Sequence, residues 1–312
     1  MSTSKAPVVG LALGSGSARG WAHIGVIQEL EAMGVRPQVV AGTSIGALVG
    51  AVYVSGQLAE FAEWVQTLTP RNIFSLMDIS FSSGVVKGAR LFGLFTENHR
   101  NPNIEELEQR YVSVATEMLT GREIWITRGP VLTAARASCA MPGVVMPVKI
   151  ADRWMLDGGL VNPVPVSACR ALGADVVIAV NLNAQLVGTH LSRNSRRQLE
   201  SEPGTSEEKS VWKRALDYFS ATEGDNPTFF DVVASSVNIM QDRITRSRMA
   251  GDPPEITLVP LLGDFALMDF HRGAEAIEEG RRLIQRNARD IRAWIGLPPP
   301  PDDAAAAGAP AA

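Results

Sequence analysis

The chain has 312 residues, of which 46% are hydrophobic and 20% charged, and its net charge is −4 at pH 7. This length and composition fit one large globular domain with a sizeable core. The slightly acidic balance provides no basic field for nucleic acid, so we expect no nucleic-acid partner. Cys139 and Cys169 lie in apolar surroundings without metal-ligand spacing. We therefore expect buried free thiols, no metal and a reducing compartment.

No apolar run is long enough to span a bilayer, which takes roughly 20 residues. The longest, residues 45–56, is short and rich in glycine. Residues 1–7 contain one lysine and no apolar run, which disfavours a secretory signal. We expect a soluble, cytoplasmic protein, with peripheral contact at the inner face of the membrane left open. The oligomeric state is left open as well.

The first 56 residues alternate between apolar strands and helices. Strands are predicted at residues 8–13 and 39–41, and helices at about 21–33 and 47–54. This βαβα order is typical of a parallel sheet with helical crossovers. The predicted fold class is α/β, with a central, mostly parallel sheet.

The remaining elements continue this pattern within one predicted domain, residues 8–296. Residues 58 to about 110 have a polar helical pattern. Later strands are predicted at residues 111–117, 123–126, 144–150, 154–156, 176–180 and 256–260, and helices at 131–139, 164–172, 229–246 and 273–294. Residues 1–7 are expected to be flexible, residues 185–210 to form a mobile loop, and the proline- and alanine-rich residues 297–312 to be disordered.

The pentapeptide Gly42-Thr43-Ser44-Ile45-Gly46 joins a predicted strand to a predicted helix. A serine between two glycines at such a turn is lifted out of the backbone as a nucleophile. Gly42 and Gly46 leave room for the tight turn, and the helix N-terminus places positive partial charge beside the hydroxyl. Ser44 is therefore the candidate nucleophile.

The loop Gly14-Ser15-Gly16-Ser17-Ala18-Arg19-Gly20 follows the first predicted strand. A dinucleotide-binding site would need an acidic residue at the end of the second strand, where this chain has Ser44 instead. Acyl transfer needs backbone N–H groups that stabilise an oxyanion, and a loop of small residues entering a helix offers them. The candidate donors are Gly16, Ser17 and Ala18, with Arg19 expected to brace the loop.

A serine nucleophile needs a base, because a free hydroxyl reacts poorly. Among the four histidines, His23 is expected to be a packed core residue, and only His271 comes late enough for a Ser-Asp-His order. Asp157 follows an apolar strand and precedes Gly158-Gly159. Groups at the carboxyl ends of parallel strands converge on one crevice, so direct contact between Ser44 and Asp157 is expected.

Three motifs occur in order: the loop ending Ala18-Arg19-Gly20, the pentapeptide around Ser44, and Asp157-Gly158-Gly159. Together they resemble the patatin-like phospholipases, in particular the bacterial branch similar to the catalytic domain of neuropathy target esterase. The resemblance covers residues 8–182 strongly and extends loosely to about residue 295. The flanking sequences agree: Trp21-Ala22-His23-Ile24-Gly25-Val26, Ala137-Ser138-Cys139-Ala140-Met141-Pro142 and Asn162-Pro163-Val164-Pro165.

The resemblance implies a three-layer fold with helices on both faces of the sheet and a Ser44–Asp157 dyad. It also implies an oxyanion hole from the glycine loop, an acyl-serine intermediate, and a phospholipid or lysophospholipid ester as substrate, without metal or cofactor. The chain departs from the family pattern at Ser15 and Ser17, where relatives usually have glycine. Serine tolerates positive φ less well than glycine, so a loss of activity is one expectation.

Three alternatives follow from the same residues. An ordinary α/β-hydrolase would complete a triad with His271. A regulatory or scaffold protein of low activity would explain the serines of the glycine loop. Nucleotide binding through that loop is disfavoured by the missing acid at the second strand.

Overall fold

The computed structural model describes residues 6–70, 73, 100–142, 145–185 and 229–299. Most of the segments predicted to be flexible, namely residues 1–5, 186–210 and 300–312, lie outside the described residues. Within these ranges, none of the helices combines the length and apolar character needed to cross a bilayer.

The strands form one sheet, and the helices follow the predicted order. The strands are β1 (Val9–Leu13), β2 (Val39–Thr43), β3 (Arg110–Glu117), β4 (Glu123–Ile126), β5 (Val148–Ile150), β6 (Arg153–Asp157), β7 (Val176–Val180) and β8 (Ile256–Leu258). The helices are α1 (Ala22–Ala32), α2 (Ile45–Val54), α3 (Leu58–Gln66), α4 (Val131–Ser138), α5 (Val166–Ala171), α6 (Phe229–Gly251) and α7 (Gly273–Ile295).

The helical pattern predicted for residues 58 to about 110 is confirmed in α3 and at residues 70 and 73, and is wrong for the described residues after Arg100. It gives α3, but the described part between Arg100 and β3 contains only the short 3₁₀ helix Ile104–Glu106. Residues 71–72 and 74–99 lie outside the described residues.

The sheet is mostly parallel, as predicted. Strands β8, β7, β1, β2 and β3 are parallel neighbours in that order. Strands β4 and β6 run antiparallel to β3, and β5 runs antiparallel to β6. The direction of β6 was not anticipated: Asp157 ends an antiparallel strand, not a parallel one.

Strands β2 and β6 share one edge of β3. Strand β4 pairs with Ser113 to Thr116 of β3 and occupies the other edge, since Ser113 and Val114 also pair with β2, and Ala115 and Thr116 also pair with β6. On the shared edge, Thr43 of β2 pairs with Val114, and Asp157 of β6 pairs with Ala115. The two strands therefore meet head to head, each at its carboxyl end.

Helices cover both faces of the sheet, which confirms the expected three layers. Alternate side chains enter separate cores: Leu11 and Leu13 of β1 join one, and Ala12 the other. Helices α1, α2, α3, α4 and α7 supply the first core, while α5 and Met249 of α6 pack in the second. The central strands are buried on both faces, which is why they read as continuous apolar runs.

Helices α1 and α7 approach each other through glycine. A Cβ on Gly25 of α1 would lie 1.8 Å from the carbonyl oxygen of Ile277, and one on Gly280 of α7 would lie 2.1 Å from that of Ala22. Real Cβ atoms do not come this close to backbone oxygens, so any larger residue would force the helices apart.

We expect Gly280→Ala to lower the free energy of unfolding by about 1–3 kcal/mol, because overpacking outweighs the gain in helix propensity. Gly251→Ala, in α6, is the matched control, since a Cβ there meets no atom within 4 Å. Urea denaturation measures both. A Gly280→Ala protein as stable as the Gly251→Ala protein would contradict this account of the helix contact.

Candidate active site

Ser44 occupies a strained turn between β2 and α2. Its backbone has φ 56° and ψ −126°, and it is the N-cap residue of α2. Positive φ is uncommon for a residue with a side chain and costs about 1–3 kcal/mol. The flanking glycines allow the turn: a Cβ on Gly42 would lie 2.4 Å from the Cα of Ala47, and one on Gly46 would lie 2.2 Å from the carbonyl oxygen of Leu13.

Ser44 and Asp157 are in direct contact. The Ser44 Oγ donates a hydrogen bond of 2.6 Å to Oδ2 of Asp157, and both residues are buried, with 5% and 1% of their surface exposed. The second carboxylate oxygen, Oδ1, accepts the N–H of Gly159 at 2.7 Å. The backbone of Asp157 is fixed as well, because its N–H donates to Ala140 and its carbonyl accepts from the hydroxyl of Thr116.

Burial raises the pKa of Asp157 to about 6, because desolvation disfavours its charged form. The hydrogen bonds from Ser44 and Gly159 oppose this effect by stabilising the carboxylate. At neutral pH the group is therefore mostly ionised, yet it is a stronger base than an ordinary aspartate.

Ser138 is a site residue that the sequence did not reveal. It ends α4 and is fully buried, and its Oγ accepts the backbone N–H of Ser44 at 2.8 Å. The same Oγ donates to the carbonyl oxygen of Val114 in β3. Ser138 thereby ties the strained Ser44 backbone to the sheet. One serine in the stretch before Pro142 carries no sequence signal for this role.

The glycine loop is held by side-chain and backbone hydrogen bonds. Ser17 has φ 51°, and its Oγ donates to the carbonyl oxygen of Leu267 at 2.7 Å. The N–H of Ala18 donates to the same oxygen at 3.3 Å. Among the described residues, no acceptor is found for the backbone N–H groups of Gly16 and Ser17.

Arg19 and His23 are buried behind the loop. The Nε of Arg19 donates to the carbonyl oxygen of Gly16 at 3.1 Å, and burial lowers the pKa of this arginine to about 9. His23 Nε2 lies 2.8 Å from the carbonyl oxygen of Gly14, which can only accept, so Nε2 carries the proton. Burial lowers the pKa of His23 to about 4, which leaves it neutral. Arg19 thus holds the loop from within, and His23 is a packed, hydrogen-bonded core residue.

His271 is not part of the hydrogen-bonded pair of Ser44 and Asp157 in the described structure. It is exposed, in the short 3₁₀ helix Phe270–Arg272. In the described part of the chain, it forms no hydrogen bond with Ser44 or Asp157.

The two cysteines differ in burial. Cys169 is free and buried, as predicted, whereas Cys139 is free but partly exposed.

The described residues contain no group of three or more histidine, cysteine, aspartate or glutamate side chains able to hold a metal ion.

Comparison with known proteins identifies the family. The model for the patatin-like phospholipases matches residues 11–170. An NTE family protein of Mycobacterium tuberculosis is 33% identical over 90% of this chain and 91% of its own length. This chain belongs to the patatin-like phospholipase family. Membership places it among the lipid ester hydrolases.

Other matches cover a smaller share of the chain or have a lower sequence identity. Lysophospholipases named NTE1 from Coccidioides immitis and Chaetomium globosum are 32% and 33% identical over 56% of this chain, which corresponds to 12% of their own length. The crystal structure of VipD from Legionella pneumophila aligns with 92% of this chain and 77% of its own, at 12% identity and a TM-score of 0.35.

We expect Asp157→Asn to stabilise the protein above pH 6. Since the pKa of Asp157 is raised from 3.8 to about 6 on folding, the folded state binds more protons than the unfolded state in this range. The free energy of unfolding therefore falls as pH rises from about 4 to about 6, by about 3 kcal/mol. The asparagine side chain does not ionise, so the variant keeps this free energy of unfolding as pH rises.

The measurement is urea denaturation of wild type and Asp157→Asn at pH 8 and pH 4. The variant should be the more stable protein at pH 8 and should lose that advantage at pH 4. A variant that is less stable than wild type at pH 8 would show that the buried carboxylate does not destabilise the fold.

Proposed function

We propose that this family member hydrolyses acyl ester bonds of phospholipids or lysophospholipids through a Ser44–Asp157 dyad. The observation that carries the proposal is the 2.6 Å hydrogen bond from Ser44 Oγ to Asp157 Oδ2, made by a serine at positive φ. A nucleophile and base within hydrogen-bond reach, with the base oriented by a further group, is the arrangement that nucleophilic catalysis requires. Here Gly159 orients the base.

In the first step, Ser44 Oγ attacks the acyl carbonyl while its proton passes to Asp157. The backbone N–H groups of Gly16 and Ser17 are the proposed donors to the oxyanion, because neither has another acceptor among the described residues. Ala18 is a weaker candidate, since its N–H already donates to Leu267. Collapse of the intermediate expels the alcohol, which takes the proton from Asp157, and leaves the acyl-serine.

In the second step, Asp157 removes a proton from water as the water oxygen attacks the acyl-serine. The tetrahedral intermediate then releases the fatty acid, and the proton returns to Ser44 Oγ. A pKa of about 6 suits both roles, because a base works best when its pKa lies near the working pH. No step needs a metal or cofactor.

The names of the family and of two similar proteins favour a phospholipid or lysophospholipid as substrate. The family is described as patatin-like phospholipases, and two fungal relatives are named lysophospholipases. Cytoplasmic location and contact with the inner face of a membrane stay predictions from the sequence.

A scaffold of low activity is the second candidate, and Ser17 is the residue that favours it. Positive φ at a serine is unfavourable. However, the hydrogen bond from its Oγ to Leu267 holds this conformation in place. The loop serine is therefore compatible with a formed oxyanion hole.

We expect Ser44→Ala and Asp157→Asn each to lower kcat/KM by at least about 10³-fold, because removing either member disables the nucleophile. His271→Ala should remain within a few fold of wild type. The assay is hydrolysis of a p-nitrophenyl acyl ester, followed by a panel of phospholipids and lysophospholipids.

The three variants separate the alternatives. Retained activity in folded Ser44→Ala or Asp157→Asn would exclude the dyad, and a large loss in His271→Ala would favour a triad. Labelling of wild type, but not Ser44→Ala, by a fluorophosphonate probe would count against an inert scaffold.

The value of kcat/KM should depend on one ionisation near pH 6. Asp157 must be charged to accept the proton of Ser44, so activity should fall by about tenfold per pH unit below the pKa of Asp157. The profile is measured between pH 4.5 and 8 with an ester whose own ionisation is constant. An acid limb centred near pH 4 would mean that the base is an ordinary exposed carboxylate.

A further inference from the structure

Gln241 lies between the glycine loop and the turn that follows Asp157. It lies on α6 with 4% of its surface exposed, about 80 residues beyond Asp157 in the chain. Its Oε1 accepts the hydroxyl of Ser15 at 3.0 Å and the Nδ2 of Asn183 at 2.9 Å. Asn183 Nδ2 also donates to Ser15 Oγ at 3.2 Å, which closes a three-membered polar cluster.

The same amide contacts the turn that presents Asp157. A Cβ on Gly159 would lie 2.3 Å from Gln241 Nε2 and 2.9 Å from Asp157 Oδ1. Gln241 Nε2 and Asp157 Oδ1 are therefore within about 5 Å of each other. A charge at the position of the Gln241 amide would be close enough to shift the pKa of Asp157. Gly159 also donates its N–H to Asp157 Oδ1. Gln241 thus limits where the Gly159 turn can lie.

Ser15 and Asn183 place the other end of the cluster. Ser15 stands next to Gly16 in the glycine loop, and its own N–H donates to the carbonyl oxygen of Pro163 at 2.8 Å. Both Ser15 and Asn183 have 1% of their surface exposed. Asn183 Oδ1 has no hydrogen-bond partner among the described residues, but the hydrogen bonds among Ser15, Asn183 and Gln241 join the glycine loop to α6. Buried hydrogen bonds of this kind favour one arrangement of the elements they join.

We propose that Gln241 is a positioning residue for acyl transfer, which holds the glycine loop and the Asp157–Gly159 turn in register. Ser15 is its partner on the loop. This inference rests on the proposed function, since Gln241 would position the oxyanion donors and the base of that reaction. The side chain acts through Ser15 and Gly159 and does not touch the reacting atoms.

Two substitutions at Gln241 test the proposal. Gln241→Leu removes the acceptor for Ser15 and Asn183, so kcat should fall by roughly ten- to a hundred-fold with little change in KM, because small displacements of catalytic groups are costly. Gln241→Glu keeps an acceptor for both donors and should retain more activity. Its negative charge should also raise the pKa of Asp157, which moves the acid limb of the pH profile upward by about one unit.

Thr245→Val is the matched control on the same helix. Thr245 is 2% exposed, and its hydroxyl donates to the carbonyl oxygen of Gln241 at 2.7 Å. The substitution removes one buried hydrogen bond but leaves the Gln241 amide in place. It should lower stability without changing kcat or the pH profile.

The experiment compares the full-length wild type with the three variants. It measures kcat, KM and the pH profile of ester hydrolysis, together with the rate of Ser44 labelling by a fluorophosphonate. Slower labelling in Gln241→Leu and an upward-shifted profile in Gln241→Glu are the expected results. Wild-type kcat in folded Gln241→Leu, an unshifted profile in Gln241→Glu, or an equal kcat loss in Thr245→Val would overturn the positioning role.

Labelling also separates this proposal from the proposed function. A wild type whose Ser44 labels but hydrolyses no phospholipid or lysophospholipid would overturn the substrate class, while the labelling rates and their pH dependence would still decide the role of Gln241. A wild-type Ser44 that does not label would overturn both.

Discussion

The site depends on two strands that meet head to head on one edge of β3. Strand β2 ends at Thr43 beside Val114, and the antiparallel β6 ends at Asp157 beside Ala115. Because Val114 and Ala115 are neighbours in β3, Ser44, which directly follows β2, lies beside Asp157. The 2.6 Å hydrogen bond between their side chains follows from this register. Because a change in register of one residue turns each side chain to the opposite face, the contact between Ser44 and Asp157 requires this pairing of β6 with β3.

The protein accepts unfavourable local features at this point and stabilises them from several directions. Ser44 holds a strained backbone that Ser138 secures, and Asp157 is a carboxylate buried with two hydrogen bonds. Ser17 is strained in the same way and is secured by Leu267. Groups fixed before substrate arrives need no reorganisation during the reaction, which is how preorganised sites lower a barrier.

Local patterns were sufficient to predict most of the fold and the contacting pair. Apolar runs located the strands, and the glycines around Ser44 indicated its turn. The direction of β6 could not be predicted, because an apolar strand reads the same in a parallel or antiparallel pair. Ser138 and Gln241 were missed because a single polar residue carries no periodicity or motif. Their roles arise from contacts across 94 residues for Ser138 and 226 for Gln241, which only the folded chain reveals.

The glycine contact between α1 and α7 joins two helices that lie far apart in the chain. Helix α1 directly follows the glycine loop, yet its partner comprises residues 273–295. During synthesis at about 5–20 residues per second, the loop would leave the ribosome many seconds before α7. Pairings at such long range close late and slow folding, so the packing of α1 behind the glycine loop would stay incomplete until α7 has been made.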